Sequence, residues 1–170
     1  LAAPKNCETT SVGFKPIGEL GTDLYKSYPG GYYPNGQNQR PFLHDSLGRA
    51  LAQQIKPLDS NGAVNPANGK IVLVSIGMSN TTQEFSTFRT IANADPAKNS
   101  QLVIVDGAQG GQTAAAIADP SANFWTVVEQ RLAAAGVTTR QVQAAWVKEA
   151  NPSPTQAFPV HAQMLQANYE

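Results

Sequence analysis

With 170 residues, 41% of them hydrophobic, the chain suits one ordinary domain with a real core rather than two independent ones. Twelve Lys and Arg balance twelve Asp and Glu, so no basic field is present to attract nucleic acid or an anionic membrane surface. The longest apolar run, 71–76, is far shorter than the roughly 20 residues that span a bilayer, which argues against a membrane span.

Only 14% of the residues are charged, and Gly, Pro, Asn and Gln are plentiful, a composition associated with exported proteins. The start, Leu1-Ala2-Ala3-Pro4, reads as what processing leaves at a mature N-terminus, so a secreted or periplasmic location is expected. Cys7 is the single cysteine; it is either an unpaired buried thiol or one that pairs outside these residues.

Residues 1–69 read as a loop-rich extension packed on the core, because turn formers recur and periodic apolar segments are scarce. One helix is predicted there, from 43 or 44 to about 55, where Leu47, Leu51, Ala52 and Ile55 recur at helical spacing before Pro57. It is expected to cover one side of the core. The stretch 59–69 is dense in turn formers and reads as a plain turn, with a calcium loop built from its oxygens as the lesser alternative.

From residue 70 onward, short apolar runs alternate with amphipathic segments, the pattern of βαβ units around a buried parallel sheet. Strands are predicted over 71–76, 102–105 and 142–147, each apolar enough to be covered on both faces. Helices are predicted from 82 or 83 to 93, over 124–135 with Gly136 as the stop, and over 159–170. Because the sheet and the last helix both stop with apolar surface left over, the 170-residue domain is expected to be incomplete at its C-terminus. Self-association, a partner chain or further sequence would then cover the exposed edge.

The segment Val72-Leu73-Val74-Ser75-Ile76-Gly77-Met78-Ser79-Asn80-Thr81-Thr82 carries a buried strand directly into Gly-x-Ser and a helix. Ligands of parallel α/β sheets sit beyond the carboxyl ends of strands, so Ser79 is delivered to the usual site. Gly77 permits a tight turn, and the helix start offers free N–H groups to an oxyanion. A serine at such a junction also serves as a plain helix N-cap. The second strand runs into Asp106-Gly107-Ala108-Gln109-Gly110-Gly111-Gln112-Thr113, where either Gly110 or Gly111 can aim a backbone N–H, with Gly111 favoured, or simply turn the chain. The third runs into Lys148-Glu149-Ala150-Asn151, in which Lys148 and Glu149 either face the pocket or form a solvated edge.

These blocks, in this order, resemble the SGNH (GDSL-like) hydrolases, with Gly77-Met78-Ser79 standing where Gly-Asp-Ser is usual. The runs Ser75 to Phe85, Trp146-Val147-Lys148-Glu149-Ala150 and Arg40-Pro41-x-x-His44 look like a bacterial secreted SGNH-like subgroup, and the resemblance covers the N-terminal two-thirds of such a protein. It implies a three-layer α/β sandwich with a parallel sheet of SGNH or flavodoxin-like type. It also implies a serine esterase acting on an acyl ester, such as a carbohydrate acetyl ester, without metal or organic cofactor. Ser79 would be the nucleophile, with the Ser79 or Asn80 N–H, the Gly111 N–H and the Asn151 side-chain amide as oxyanion donors.

The family's Asp-x-x-His block does not occur in these residues, so the resemblance places the acid–base histidine outside them and makes these 170 residues inactive alone. His44 and His161 stand at other positions and read as surface or helix-face residues. A competing reading is an extracellular binding or assembly module that keeps the fold without the base.

Overall fold

The computed structural model describes residues 15–170; Cys7 lies outside the described residues. The chain divides into two compact units, Leu1–Gln54 and Ile55–Glu170.

In the first unit a short helix α1 (Ile17–Leu20) precedes an antiparallel pair, β1 (Leu24–Tyr25) and β2 (Tyr28–Pro29). Lys26 and Ser27 between them both have positive φ, the backbone that a tight two-residue hairpin demands. The predicted helix is α2 (Phe42–Gln53), ending two residues short of Ile55. Asp45 accepts from Arg49 Nε at 2.7 Å and from Arg40 Nη1 at 3.2 Å at its start. Leu47 and Leu51 are exposed, and no residue of α2 is buried.

The second unit is built on three parallel strands, β3 (Ile71–Gly77), β4 (Leu102–Asp106) and β5 (Val142–Lys148), in the order β4-β3-β5. Each runs one residue beyond its predicted end. Helix α3 (Ser79–Ala94) carries the chain from β3 to β4. A short helix α4 (Ala114–Ile117) and then α5 (Asn123–Ala134) carry it back across β3 to β5, and α6 (Val160–Tyr169) follows. The two crossovers move in opposite directions along the sheet, so with the right-handed rule their helices lie on opposite faces.

Side-chain alternation shows the same division. Val72 and Val74 pack with Val105, Phe124, Val128 and Leu132 in the main core on the α5 face. On the α3 face, Phe85 is fully buried and meets Trp146 edge-on, ring centroids 5.9 Å apart. Strand β5 serves both faces through an irregularity. Val72 pairs with Val142, but Leu73 pairs with Ala144, so Gln143 is an extra residue. Its amide exchanges two hydrogen bonds with the Lys56 backbone, at 3.0 and 2.7 Å. After this bulge Trp146 and Lys148 fall opposite Ser75 and Gly77, while Val147 falls opposite Ile76. Ala145, Trp146 and Val147 are more exposed than a strand covered on both faces would be, because β5 has a neighbour on one side alone among the described residues.

The carboxyl end of β3 is the tightest point. A Cβ on Gly77 would overlap both Thr81 Oγ1 and the Lys148 carbonyl, so only glycine lets α3 approach the end of β5. Thr81 Oγ1 donates to that same carbonyl at 2.7 Å. Gly77→Ala should therefore lower unfolding stability by about 1–3 kcal/mol through overpacking. Thr81→Val should lower it by about 1–3 kcal/mol by stranding the carbonyl. Urea unfolding checks both, and wild-type midpoints would show that the junction is not tight.

Candidate active site

Strands β3 and β5 lie side by side, and the chain leaves β3 toward one face and approaches β5 from the other. The gap beyond their carboxyl ends is thus a topological switch point, where open α/β sheets hold ligands. Ser79 follows β3, Gly110 and Gly111 follow β4, and Asn151 follows β5, so parallel pairing puts all of them at one edge of the sheet.

Ser79 is exposed and occupies the first residue of α3. Met78 holds the N-cap position without a side-chain cap bond, and Asn80 Oδ1 accepts from the Thr81 N–H at 3.0 Å. The Ser79 hydroxyl is thus not engaged as a cap. The predicted helix began three or four residues later; it forms earlier because Thr81 and Thr82 are anchored rather than loose. Thr81 bonds to β5 as described, and Thr82 Oγ1 donates to the Ala108 carbonyl at 2.9 Å.

The loop after β4 is fixed from several sides. Ser75, fully buried at mid-strand, donates to Asp106 Oδ1 at 2.6 Å, and the Ser75 hydroxyl accepts from the Gly107 N–H at 3.1 Å. Gln109 N–H donates to the Gly77 carbonyl at 2.9 Å, and Arg131 Nη1 donates to the Asp106 and Ala108 carbonyls at 3.0 and 2.7 Å. Gly110 is thereby carried against Ser79, since a Cβ built on it would stand 3.8 Å from Ser79 Cβ. Gly111 has φ +76 and open space around it, so it turns the chain one residue further on.

Asn151 Oδ1 accepts from the Ala115 N–H at 2.9 Å, close to the start of α4, which orients the other end of its amide as a donor. Its backbone carbonyl is 3.0 Å from His161 Nε2, which acts as the donor in that contact. His161 is therefore half-buried against the site loop rather than a free helix-face residue. His44 stacks at a tilt on Tyr33 in the other unit, 5.6 Å between centroids. Among the described residues no hydrogen bond joins either histidine to Ser79.

Lys148 and Glu149 part company. Lys148 turns to the α3 face, where its ammonium pairs with Glu84 at the surface. Glu149 lies on the opposite face with both carboxylate oxygens closed to solvent and without a hydrogen-bond partner. Burial pushes its carboxyl up to about 7; the Ala150 backbone N–H lies near enough to oppose this, but outside hydrogen-bonding geometry. Two adjacent opposite charges carry no sign in the sequence that one is surface and the other interior. In the stretch 59–69, Asp59 Oδ1 accepts from the Asn61 and Ala63 N–H groups, both at 2.9 Å, which makes it the closing group of a turn.

The fold is an α/β arrangement with a three-stranded parallel sheet flanked by helices, and the candidate site lies at the switch point between β3 and β5. No family model, no curated protein and no solved structure matches the chain.

Glu149 also links stability to pH. Its folded value is above that of an unfolded glutamate, so the folded state holds the proton more tightly, and stability is full below about 4.5 and falls as pH rises through 7. Glu149→Gln should therefore flatten the stability profile between pH 5 and 8 and stabilise at pH 8 by on the order of 1 kcal/mol after discounting for solvent screening. Thermal unfolding across that range checks it; identical profiles for the two chains would deny the burial.

Proposed function

We propose that the chain carries the nucleophile half of an SGNH-type serine esterase acting outside the cytoplasm on an acyl ester, with a carbohydrate acetyl ester as the substrate class. The observation that carries this is the close approach, at a switch point of a parallel sheet, of Gly110 to Ser79, whose hydroxyl does not serve as the helix cap. Ser79 Oγ attacks the acyl carbonyl, the alcohol leaves from the tetrahedral intermediate, and water then releases the acid. Oxyanion donors come from the start of α3, from the Gly110-Gly111 turn, where Gly110 is the glycine nearer to Ser79, and from the amide of Asn151. The three-layer SGNH or flavodoxin-like arrangement is part of the same proposal and is supported by the order β4-β3-β5, with helices on both faces.

A base must still take the serine proton. Neither described histidine is bonded to Ser79, so this reading assigns the base to a histidine beyond these 170 residues. The same observation favours a second reading, a binding module on an SGNH-like fold.

Acetate release from an acetylated oligosaccharide, with and without imidazole as a substitute base, separates the two. The wild-type chain should turn over slowly and gain about tenfold from imidazole above the buffer background, less than the roughly 10²–10⁴-fold that a positioned base supplies. Ser79→Ala should stay at background. Equal rates for both chains would support the module, and fast turnover without imidazole that is lost in His161→Ala would move the base to His161.

A further inference from the structure

On the α5 face, below the carboxyl edge, a cavity of about 320 Å³ opens between β3, β5, α4, α5 and the end of α6. This is the lower end of the size range of small-molecule sites. Ile76, Ile117, Val147 and Trp125 form its apolar wall, and Glu149 is its one interior charged group. Trp125 Nε1 is already committed to the Ile117 carbonyl at 3.1 Å, so the indole offers the cavity its apolar surface. The Tyr169 hydroxyl holds the floor by accepting from the Glu149 N–H at 2.9 Å and donating to the Glu149 carbonyl at 3.2 Å. Glu170 also lines the space, its Oε1 held by Gln166 at 2.7 Å, and no Lys or Arg does.

A carboxylate closed to water and left without donors is costly, and native interiors rarely keep one without a use. The cavity beside it supplies room for the missing donor. A metal ion is a poor fit, because no group of three or more His, Cys, Asp or Glu gathers anywhere among the described residues. An anion meets two carboxylates and no cation. What fits is a single charged donor with a short apolar body: its N–H groups meet the Glu149 carboxylate once that side chain turns toward the cavity, and its hydrocarbon meets Ile76, Ile117 and Val147.

We propose that this cavity is a binding site for a small organic ammonium, seated on Glu149, and that it works independently of the chemistry at Ser79. The groups around Glu149 that bear charge or titrate are Glu170 and Tyr169 from the end of α6; the cavity walls from β3, α4 and α5 contribute none. Only ionised Glu149 accepts from the ammonium, and in the empty cavity that carboxyl holds its proton up to about pH 7. Binding therefore expels the proton, and affinity should rise about a hundredfold from pH 5 to pH 8 and then level off.

The test is calorimetric titration of the chain with n-hexylammonium chloride and, in parallel, n-hexanol, which has the same body without the charge. The ammonium should bind at least about tenfold tighter than the alcohol at pH 8. Glu149→Gln should abolish that preference and the pH dependence while leaving the weak alcohol binding in place. Ala118→Phe, which fills the cavity from an exposed position and leaves Glu149 intact, should remove both ligands and serves as the deciding variant if Glu149→Gln does not fold. Equal affinities for the two ligands, a preference that survives in Glu149→Gln, ammonium binding that survives in Ala118→Phe, or no ammonium binding at pH 8 would each overturn the proposal.

Discussion

The carboxyl edge of the sheet depends on the clearance at Gly77. Because that residue has no side chain, Thr81 reaches the carbonyl of Lys148, and one hydrogen bond ties the first turn of α3 to the end of β5. The starting direction of α3 sets where Ser79 stands, and the same contact sets the spacing of the crevice between the two strand ends. The position of Ser79 and the width of the crevice are thus one geometric fact.

On the other side of β3 the buried Ser75–Asp106 pair does comparable work. Hydroxyl, carboxylate and the N–H groups of Gly107 and Ala108 satisfy one another out of water, which is how polar residues persist in a core at this depth. The network stiffens the exit from β4 and, through it, the approach of Gly110 to Ser79. Polar residues inside the strands therefore position the loops outside them.

Much of this was legible in the sequence. Apolar runs located all three strands to within a residue, and the apolar face of Val127, Val128 and Leu132 before Gly136 located α5, because burial against a sheet leaves a periodic trace. The junction at Ser79 was legible for the same reason, as a strand that stops at glycine. The hairpin at 24–29 was not, since two-residue strands bury nothing and leave no alternation. Nor was Glu149: its side-chain direction is set by the Gln143 bulge, which reverses the facing of everything after it, and an inserted residue in a run such as Val142-Gln143-Ala144-Ala145 looks like ordinary strand. The apolar run of β4 ends at Val105, and nothing local shows that Asp106 continues the strand, because its partner Ser75 lies far away in the chain. His161 reads as a surface or helix-face residue because its partner, the Asn151 carbonyl, is backbone and has no side-chain signature.

The strand order carries a consequence for how the molecule is made. Both partners of β3 lie later in the chain, β4 first and β5 last, so the central and most apolar strand is synthesised with neither edge covered. Helix α3 can form at once from local contacts, but the parallel pairings must wait for long loops to close, the slow kind of step in folding. Until Val142 and its neighbours arrive, the run from Ile71 to Ile76 is an unpaired apolar edge, the exposed surface from which partly folded chains aggregate. Emergence of β5 from the ribosome therefore sets the moment at which this chain ceases to be a hazard to its neighbours.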